Sequence, residues 1–381
     1  MKISVPRETL AGETRVALIP SLLTALAKDK HEILIERNAG AASSHPDGEY
    51  TKANARIAPD TKSVYNGAEL ILKVQPPTLV EAEQFPEGCS YIGFLAPLAN
   101  QKLIDVFVKR RITSYAMEYV PRITRAQSMD ALSSMANIAG YKAVLVASEQ
   151  LDKLFPMMMT AAGTITPSVV LVLGVGVAGL QAIATAKRLG AKVEAFDPRP
   201  AVKDQVKSVG ATFIEMEITE NVETAGGYAK EQSEEFLRKE REAIGARLPK
   251  VDVVISTAQI FGKKAPVLIT AEMVKMMRSG SVIVDLAAEQ GGNCELTEAG
   301  KTVLSNGVKI IGAVNLTATV PVHASQMYSK NVTNLLQHIF AKGNPNPDFA
   351  DDIVKGSCIT RNGEIVNENV RTVFQQGGNR S

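Results

Sequence analysis

The sequence predicts an α/β protein with two doubly wound domains, each a mostly parallel sheet covered by helices, joined by long helices. Three observations support this fold class. Short strand-forming segments alternate with helical ones, a strand, glycine turn and helix lie near the middle, and a long helical segment precedes them. The 381 residues suit two domains of ordinary size, and 45% apolar with 22% charged residues is typical of a globular protein.

The first domain is predicted from strands and helices that alternate over roughly the first 120 residues. Its strands are predicted at residues 3–5, 32–36, 70–74, 91–95 and 112–117. Helices are predicted over residues 21–28 and 101–109. Because strands that alternate with helices form parallel βαβ units, this domain is expected to be Rossmann-like as well.

A long segment with apolar residues at helical spacing follows, and it predicts a linking helix over residues 126–155. The second domain is predicted over residues 156–324. After Val320 the sequence is helical to Phe340 and ends in a short polar tail. We expect residues 325–381 to return to the first domain, residues 1–125, and to complete it.

The second domain has six predicted strands with helices between them, which favours a Rossmann sheet. These strands are predicted at residues 169–173, 192–196, 211–216, 252–257, 281–286 and 308–313. An unusually long insertion, residues 217–249, lies among them. It is either a solvated charged helix with a flexible lead-in or a mobile lid near 217–235, with Tyr228 beside a Gly-Gly hinge.

The turn after the first of these strands has the pattern of a dinucleotide site. It consists of Gly174, Val175, Gly176, Val177, Ala178 and Gly179. Gly174 permits the tight turn, Gly176 lets the backbone approach a pyrophosphate, and Gly179 lets helix and strand pack closely. The helix N-terminus offers N–H groups and a positive dipole end to the phosphates.

An acidic residue, Asp197, ends the next predicted strand. A carboxylate there binds the adenosine ribose hydroxyls and repels the 2′-phosphate of NADP, so NAD(H) is the predicted cofactor. Pro198 and Arg199, which follow it, are assigned to the same site. A chance cluster of glycines is the alternative, and the surrounding strand, helix and acid argue against it.

Composition excludes several other classes of protein. A formal net charge of +2 gives no reason to expect nucleic acid or an acidic membrane surface as a partner. The three cysteines and four histidines are scattered, which favours reduced thiols and no metal site. Residues 154–186 carry no charge, but two prolines and the glycine turn within them indicate a buried strand and helix rather than a membrane span.

Further motifs make the chain resemble the alanine dehydrogenase and transhydrogenase superfamily, and within it the NAD(H)-binding domain I of proton-translocating nicotinamide nucleotide transhydrogenases. Besides the glycine turn, the motifs lie at residues 13–17, 72–74, 121–130, 156–163, 223–230, 285–294 and 356–363. The resemblance covers nearly the whole chain.

Several site residues are implied by this resemblance. The nicotinamide-positioning loop of the family matches Arg122, Gln127 and Asp130, followed by Ser133. Gln127 would bond the ribose beside the nicotinamide, and Arg122 with Asp130 would orient the carboxamide. Tyr228 matches the tyrosine of the mobile loop. The alternative is a surface loop in which Asp130 or Ser128 caps the linking helix.

Departures from alanine dehydrogenase bear on the reaction. Arg15 and Lys73 match the residues that hold the substrate of that enzyme, but its histidine is absent from the segment Phe94–Leu98, and Glu289 stands in place of its aspartate. Oxidative deamination moves protons as well as a hydride, whereas hydride transfer between two nicotinamides needs no acid or base. Arg15 and Lys73 are therefore interpreted as a retained polar pair.

The first hypothesis is an NAD(H)-binding subunit of proton-translocating transhydrogenase, which passes a hydride from NADH to NADP(H) on a partner domain. The resemblance implies a membrane proton-channel subunit as a further partner, a homodimer, and a cytoplasmic location, peripheral at the inner face of the plasma membrane. The chain to Ser381 is expected to carry neither the NADP domain nor the membrane domain. The alternatives are an alanine dehydrogenase-like enzyme and a non-catalytic NAD sensor.

Overall fold

The computed structural model describes residues 1–27, 31–216, 233–260, 262–341 and 346–377. The strands are, in chain order, β1 (Lys2–Val5), β2 (Glu32–Glu36), β3 (Arg56–Ala58), β4 (Leu70–Leu72), β5 (Ser90–Gly93), β6 (Thr113–Ala116), β7 (Met158–Thr160), β8 (Gly163–Ile165), β9 (Val169–Leu173), β10 (Lys192–Phe196), β11 (Thr212–Phe213), β12 (Val253–Ser256), β13 (Val282–Asp285), β14 (Thr302–Ser305), β15 (Val308–Gly312), β16 (Cys358–Arg361) and β17 (Glu364–Ile365).

The α-helices are α1 (Pro20–Ala27), α2 (Asp47–Lys52), α3 (Thr61–Tyr65), α4 (Leu79–Gln84), α5 (Gln101–Lys109), α6 (Ala131–Gln150), α7 (Val177–Arg188), α8 (Lys203–Ser208), α9 (Glu234–Gly245), α10 (Ala271–Val274), α11 (Pro321–Ile339), α12 (Asp352–Ser357) and α13 (Glu368–Gly377). The chain divides into two compact units: unit 1 is residues 1–135 with 317–381, and unit 2 is residues 136–316.

Unit 1 contains a mixed sheet with the strand order β17-β16-β6-β5-β4-β1-β2-β3. Strands β1 to β6 are parallel, and β16 and β17 add to one edge antiparallel. The order reverses at β1, which pairs with β2 on one side and β4 on the other. The carboxyl ends of β1 and β4 therefore form the topological switch point of this sheet, where such folds bind ligands.

Unit 2 contains a second sheet with the order β11-β10-β9-β12-β13-β15-β14, parallel except for β14. Its order reverses at β9, between β10 and β12. Strand β9 is buried on both faces: Val170 and Val172 join the core on one side, and Leu171 and Leu173 join the core on the other. Each such side chain stabilises the fold by roughly 1.5–3 kcal/mol, which explains the uninterrupted apolar sequence.

The predicted fold class, two doubly wound α/β domains, is confirmed. The prediction of a short polar tail is wrong, because the segment after α11 forms α12, β16, β17 and α13. Asn362 and Gly363 both have positive φ, 53° and 84°, and make the tight turn that pairs β16 with β17. The second sheet also has one strand more than predicted among the described residues, the antiparallel β14.

The long helix predicted over residues 126–155 is shorter in the structure, where α6 spans Ala131–Gln150. Residues Thr124–Met129 form a 3-10 helix instead. The helix starts late because the Asp130 carboxylate accepts the backbone N–H of Ser133 at 2.8 Å, a hydrogen bond typical of an N-cap. Of the long insertion, the structure describes α9, which begins at Glu234 with the Ser233 hydroxyl as its cap.

A small hairpin in unit 2 stands apart from both sheets. Strands β7 and β8 pair only with each other among the described residues, and every residue in them is exposed. The side chains of Met157, Met159 and Ile165 are 59%, 75% and 44% exposed. A two-stranded hairpin is marginally stable alone in water, and an apolar exposed one marks a surface that contacts something else.

Candidate functional site

The glycine turn lies at the carboxyl end of β9, at the switch point of the unit 2 sheet. Gly174 has φ of 87°, which a side chain disfavours, and its carbonyl accepts the Thr257 hydroxyl at 2.9 Å. A Cβ at Gly179 would lie 1.9 Å from the Gly174 oxygen, so helix α7 packs directly on the turn. A Cβ at Gly176 would meet nothing within 4 Å.

The exposed Gly176 therefore leaves room in front of the first turn of α7. Val177 and Ala178 open that helix, and its first N–H groups have no carbonyl of the preceding helical turn to bond. Val175 is buried beneath them. These features fit the pyrophosphate of a dinucleotide, which needs a close backbone approach and helix N–H donors.

Asp197 lies directly after β10 and beside the glycine turn, as its place in the sequence predicted. Its carboxylate accepts the backbone N–H of Val175 at 2.7 Å and is only 4% exposed. Arg199 donates to it through its backbone N–H at 2.9 Å and through its side-chain Nε and Nη2, each at 2.8 Å. The half-buried Pro198 lies between the two. The acid is thus fixed in place by the turn and by the guanidinium.

Two residues that sequence reasoning did not assign organise the neighbouring loops. Asp285 accepts the backbone N–H groups of Asn293 and Cys294 at 2.7 and 3.0 Å, which closes the loop after β13. The Asn293 amide bonds both backbone groups of Ala258, at 3.0 and 2.8 Å, in the loop after β12. The motif at residues 285–294 was the signal that could have identified them, but a motif does not show which atoms pair.

The predicted nicotinamide loop belongs to unit 1. Arg122 and Gln127 have exposed side chains, and Asp130 is half-buried. Asp130 and Ser133 are brought together, since the Ser133 hydroxyl donates to the Asp130 carboxylate at 2.6 Å in addition to the backbone bond. The helix-cap interpretation of Asp130 is therefore confirmed, while Ser128 does not make that bond. Tyr228 and most of the predicted lid lie outside the described residues.

Buried charged side chains gather at the switch point of the unit 1 sheet. Lys73 Nζ is 2.6 Å from Glu81 Oε1 and 3.6 Å from Glu8 Oε2. Arg15 pairs with Glu13 through two hydrogen bonds, at 2.6 and 2.8 Å. All five side chains are at most 8% exposed. Both cations matched by the resemblance to alanine dehydrogenase thus bond carboxylates of the chain itself.

Burial and pairing act in opposite directions on these carboxylates. Burial would raise the pKa of Glu13, but the hydrogen bonds and charge of Arg15 outweigh it and lower the pKa to about 2. Burial likewise opposes Lys73 at Glu81, and Lys73 prevails, so the pKa of Glu81 is lowered. At Glu8 burial dominates over the Lys73 charge and raises the pKa.

The segment that would carry a dehydrogenase histidine follows β5. Its Phe94 ring packs against Tyr328, with ring centroids 5.4 Å apart. Ala96 has a φ of 43°, in the left-handed region, and the Glu118 carboxylate accepts the N–H groups of Leu95 and Ala96. Burial raises the pKa of Glu118 despite these hydrogen bonds. Glu118 thus stabilises the backbone of this segment.

Two general findings concern only the described part of the chain. Within it, no group of three or more His, Cys, Asp and Glu side chains is arranged to hold a metal ion. Over the same residues, no helix combines the length and the apolar character needed to cross a membrane.

Comparisons with known proteins match nearly the whole chain. The family described as Alanine dehydrogenase/PNT, N-terminal domain, matches residues 4–139, and the corresponding C-terminal domain matches residues 143–368. The chain is 48% identical over 375 residues to an NAD(P) transhydrogenase subunit alpha of Rhodospirillum rubrum, a match that covers 96% of this chain and 98% of that protein.

Two further comparisons extend this likeness. The crystal structure of transhydrogenase from Sinorhizobium meliloti matches with a TM-score of 0.85 at 39% identity, covering 97% of this chain and 100% of that one. Alanine dehydrogenase 2 of Staphylococcus aureus (strain USA300) is 31% identical over 387 residues, covering 98% of this chain and 97% of that protein. The fold is shared by both groups, and the identity is higher to the transhydrogenases.

Proposed function

Since this chain belongs to the alanine dehydrogenase/PNT family, we propose that it is the NAD(H)-binding subunit of a proton-translocating NAD(P) transhydrogenase. In this function a hydride passes directly from NADH on this chain to NADP bound on a partner domain. A membrane partner couples that transfer to proton translocation, and the chain lies at the inner face of the plasma membrane.

The observation that carries this proposal is the apolar segment at Phe94. An amino-acid dehydrogenase needs a group that takes and returns protons at the substrate, and this segment instead presents a phenyl ring packed on Tyr328. Hydride transfer between nicotinamides requires only alignment of the rings and exclusion of water. The pairing of Arg15 and Lys73 with carboxylates of the chain supports the same choice, because a substrate carboxylate would compete with them.

In this proposal the two units hold different parts of the cofactor. The glycine turn from Gly174 to Gly179 binds the pyrophosphate, and Asp197, with Pro198 and Arg199 beside it, binds the adenosine ribose. In unit 1, Gln127 bonds the nicotinamide ribose, and Arg122 with Asp130 orients the carboxamide. Ser133 holds the Asp130 carboxylate, and Tyr228 closes over the site. NADH supplies the hydride when it is bound.

We also propose that the chain is a homodimer and that the β7–β8 hairpin contacts the second copy. The support is the exposed apolar surface of that hairpin, including Met158 and Met159 at 42% and 75% exposure. Replacing both by glutamate should convert a dimer to a monomer in light scattering. The matched control is Leu304→Glu, which alters a side chain 69% exposed on the edge strand β14 and should leave the mass unchanged. A monomeric unmodified chain would contradict the proposal.

The function is tested in a spectrophotometric assay of the purified chain with two mixtures. The first contains a separate transhydrogenase NADP-binding domain, NADPH and acetylpyridine adenine dinucleotide, and the second contains pyruvate, ammonia and NADH. We expect turnover only in the first mixture, and only when the NADP-binding domain is present. Turnover in the second mixture would favour an alanine dehydrogenase-like enzyme. Bound NADH without turnover in either mixture would favour an NAD sensor.

A further inference from the structure

One carbonyl in the loop between β6 and α6 receives two side-chain hydrogen bonds from a distant part of the chain. The Nδ2 groups of Asn331 and Asn334 donate to the backbone oxygen of Ser128 at 2.9 and 3.0 Å. Both asparagines belong to α11, and residues three apart lie on the same face of a helix. Their convergence on one acceptor fixes the position of the Ser128 peptide group.

The segment that they hold has little other support of this kind. Residues Thr124–Met129 form a 3-10 helix whose first residue has no side-chain cap. Ala126 and Met129 are buried, whereas Gln127 and Ser128 between them are exposed. Short 3-10 helices have poorer hydrogen-bond geometry than α-helices, so side-chain anchors contribute more to their position.

A second anchor reaches the same segment from the same face of α11. The guanidinium of Arg125 donates to Asp351, which also accepts His338 Nε2 at 2.9 Å. His338 is seven residues after Asn331, two helical turns along that face. Asp351 is itself fixed, because it caps α12 by accepting the N–H groups of residues 353 and 354.

We propose that Asn331 and Asn334 are positioning residues that hold Gln127 and Asp130 in the orientation needed for hydride transfer. This inference rests on the proposed transhydrogenase function, in which those two side chains orient the nicotinamide half of NADH. The Ser128 carbonyl lies one residue after Gln127 and two residues before Asp130. Freeing it therefore shifts the starting points of both side chains without removing either.

The expected consequence is a loss of rate rather than of binding. The pyrophosphate and adenosine contacts lie on unit 2 and do not depend on this segment, so NADH should bind nearly as tightly. Hydride transfer depends steeply on the placement of the reacting atoms, and a misplacement of about 1 Å can lower it by 10²-fold. The signature is a fall in kcat with little change in the Kd for NADH.

The test variant is Asn331→Leu with Asn334→Leu, because leucine has a similar size and lacks the donor. Asn331 Oδ1 has no hydrogen-bond partner among the described buried atoms, so replacing that amide should not itself unfold the chain. The control is Gln326→Leu, the loss of an exposed amide on the same helix. A second variant, Asn334→Gln, retains a donor and should keep a rate within threefold of the unmodified chain.

Two measurements are made on each variant. The rate with the NADP-binding domain should fall at least 10-fold in the double variant, with the Kd for NADH, from its fluorescence, changed less than threefold. Amide hydrogen exchange in residues 124–130 should become at least 10-fold faster, with no such change in the control. Unchanged exchange would overturn the anchor, and faster exchange with an unchanged rate would overturn the positioning role.

The exchange measurement does not require turnover, so it keeps this inference separate from the proposed function. If the unmodified chain gives no hydride transfer, the transhydrogenase proposal fails, and with it the positioning role. The exchange result would then still decide whether the asparagines anchor the segment. A double variant that loses its melting transition would be replaced by the two single variants, for which the same outcomes apply.

Discussion

The Glu13–Arg15 pair allows a prediction whose size follows from the structure. The perturbation is Glu13→Gln, which removes the carboxylate charge while keeping the shape of a side chain that has no exposed surface. In the folded state the pKa of Glu13 is about 2, compared with an ordinary 4.5. This difference corresponds to about 3 kcal/mol of folding free energy at neutral pH.

The sign follows from the direction of the change in pKa. A carboxyl group whose pKa is lowered by folding stabilises the protein above its unfolded pKa, and that contribution is lost as pH falls toward the folded pKa. At pH 7 the variant should therefore lose about 3 kcal/mol of its free energy of unfolding, and more if the buried Arg15 is left uncompensated. At pH 3 the contribution of Glu13 falls to about 1.4 kcal/mol.

The assay is urea-induced unfolding of the full chain, followed by circular dichroism at pH 7, 5 and 3. Glu83→Gln, which neutralises an exposed carboxylate on α4 of the same unit, is the matched control and should change the unfolding midpoint little. Equal midpoints for Glu13→Gln and the unmodified chain at pH 7 would refute the reasoning. So would a difference that does not shrink between pH 5 and pH 3, because it would not come from ionisation.

Three predictions concern unit 2. Gly179→Ala should destabilise the unit, because its Cβ would meet the Gly174 oxygen at 1.9 Å, whereas Gly176→Ala should leave the melting temperature unchanged and weaken NADH binding at least 10-fold; equal effects of the two on stability would contradict this. Asp197→Asn should weaken NADH binding and reduce discrimination against NADPH, both measured by fluorescence titration. Asn293→Ala should lower the free energy of unfolding by about 1–3 kcal/mol, since it leaves the backbone groups of Ala258 unpaired.

Much of the fold could be predicted because its signals are local. The glycine turn, the apolar strand β9 and Asp197 occur within thirty residues, and the physical reason for each can be stated from residue type and spacing. Helix α5 and strand β10 have the predicted bounds, because apolar periodicity and flanking polar residues define them. The strands β16 and β17 were missed, although Asn362-Gly363 is a hairpin signal, because they are short and lie in a polar segment.

The candidate site was predicted less fully, because its details are pairings between distant residues. Nothing near Ser128 in the sequence indicates Asn331, more than two hundred positions away. The same holds for Asn293 and Ala258, which join two loops. The sequence also places Arg199 two residues after Asp197 without showing that its guanidinium binds that acid. Residue type and spacing predict which groups are available, and packing decides which of them meet.

The division of unit 1 into two stretches of sequence has a consequence for how the chain folds during synthesis. Unit 2 is continuous, residues 136–316, and can acquire all its strands as soon as it leaves the ribosome. Unit 1 must wait for β16 to cover the edge of β6, so this edge stays open while about two hundred further residues are made. We therefore expect truncation before β16 to cause aggregation through unit 1 while unit 2 remains folded.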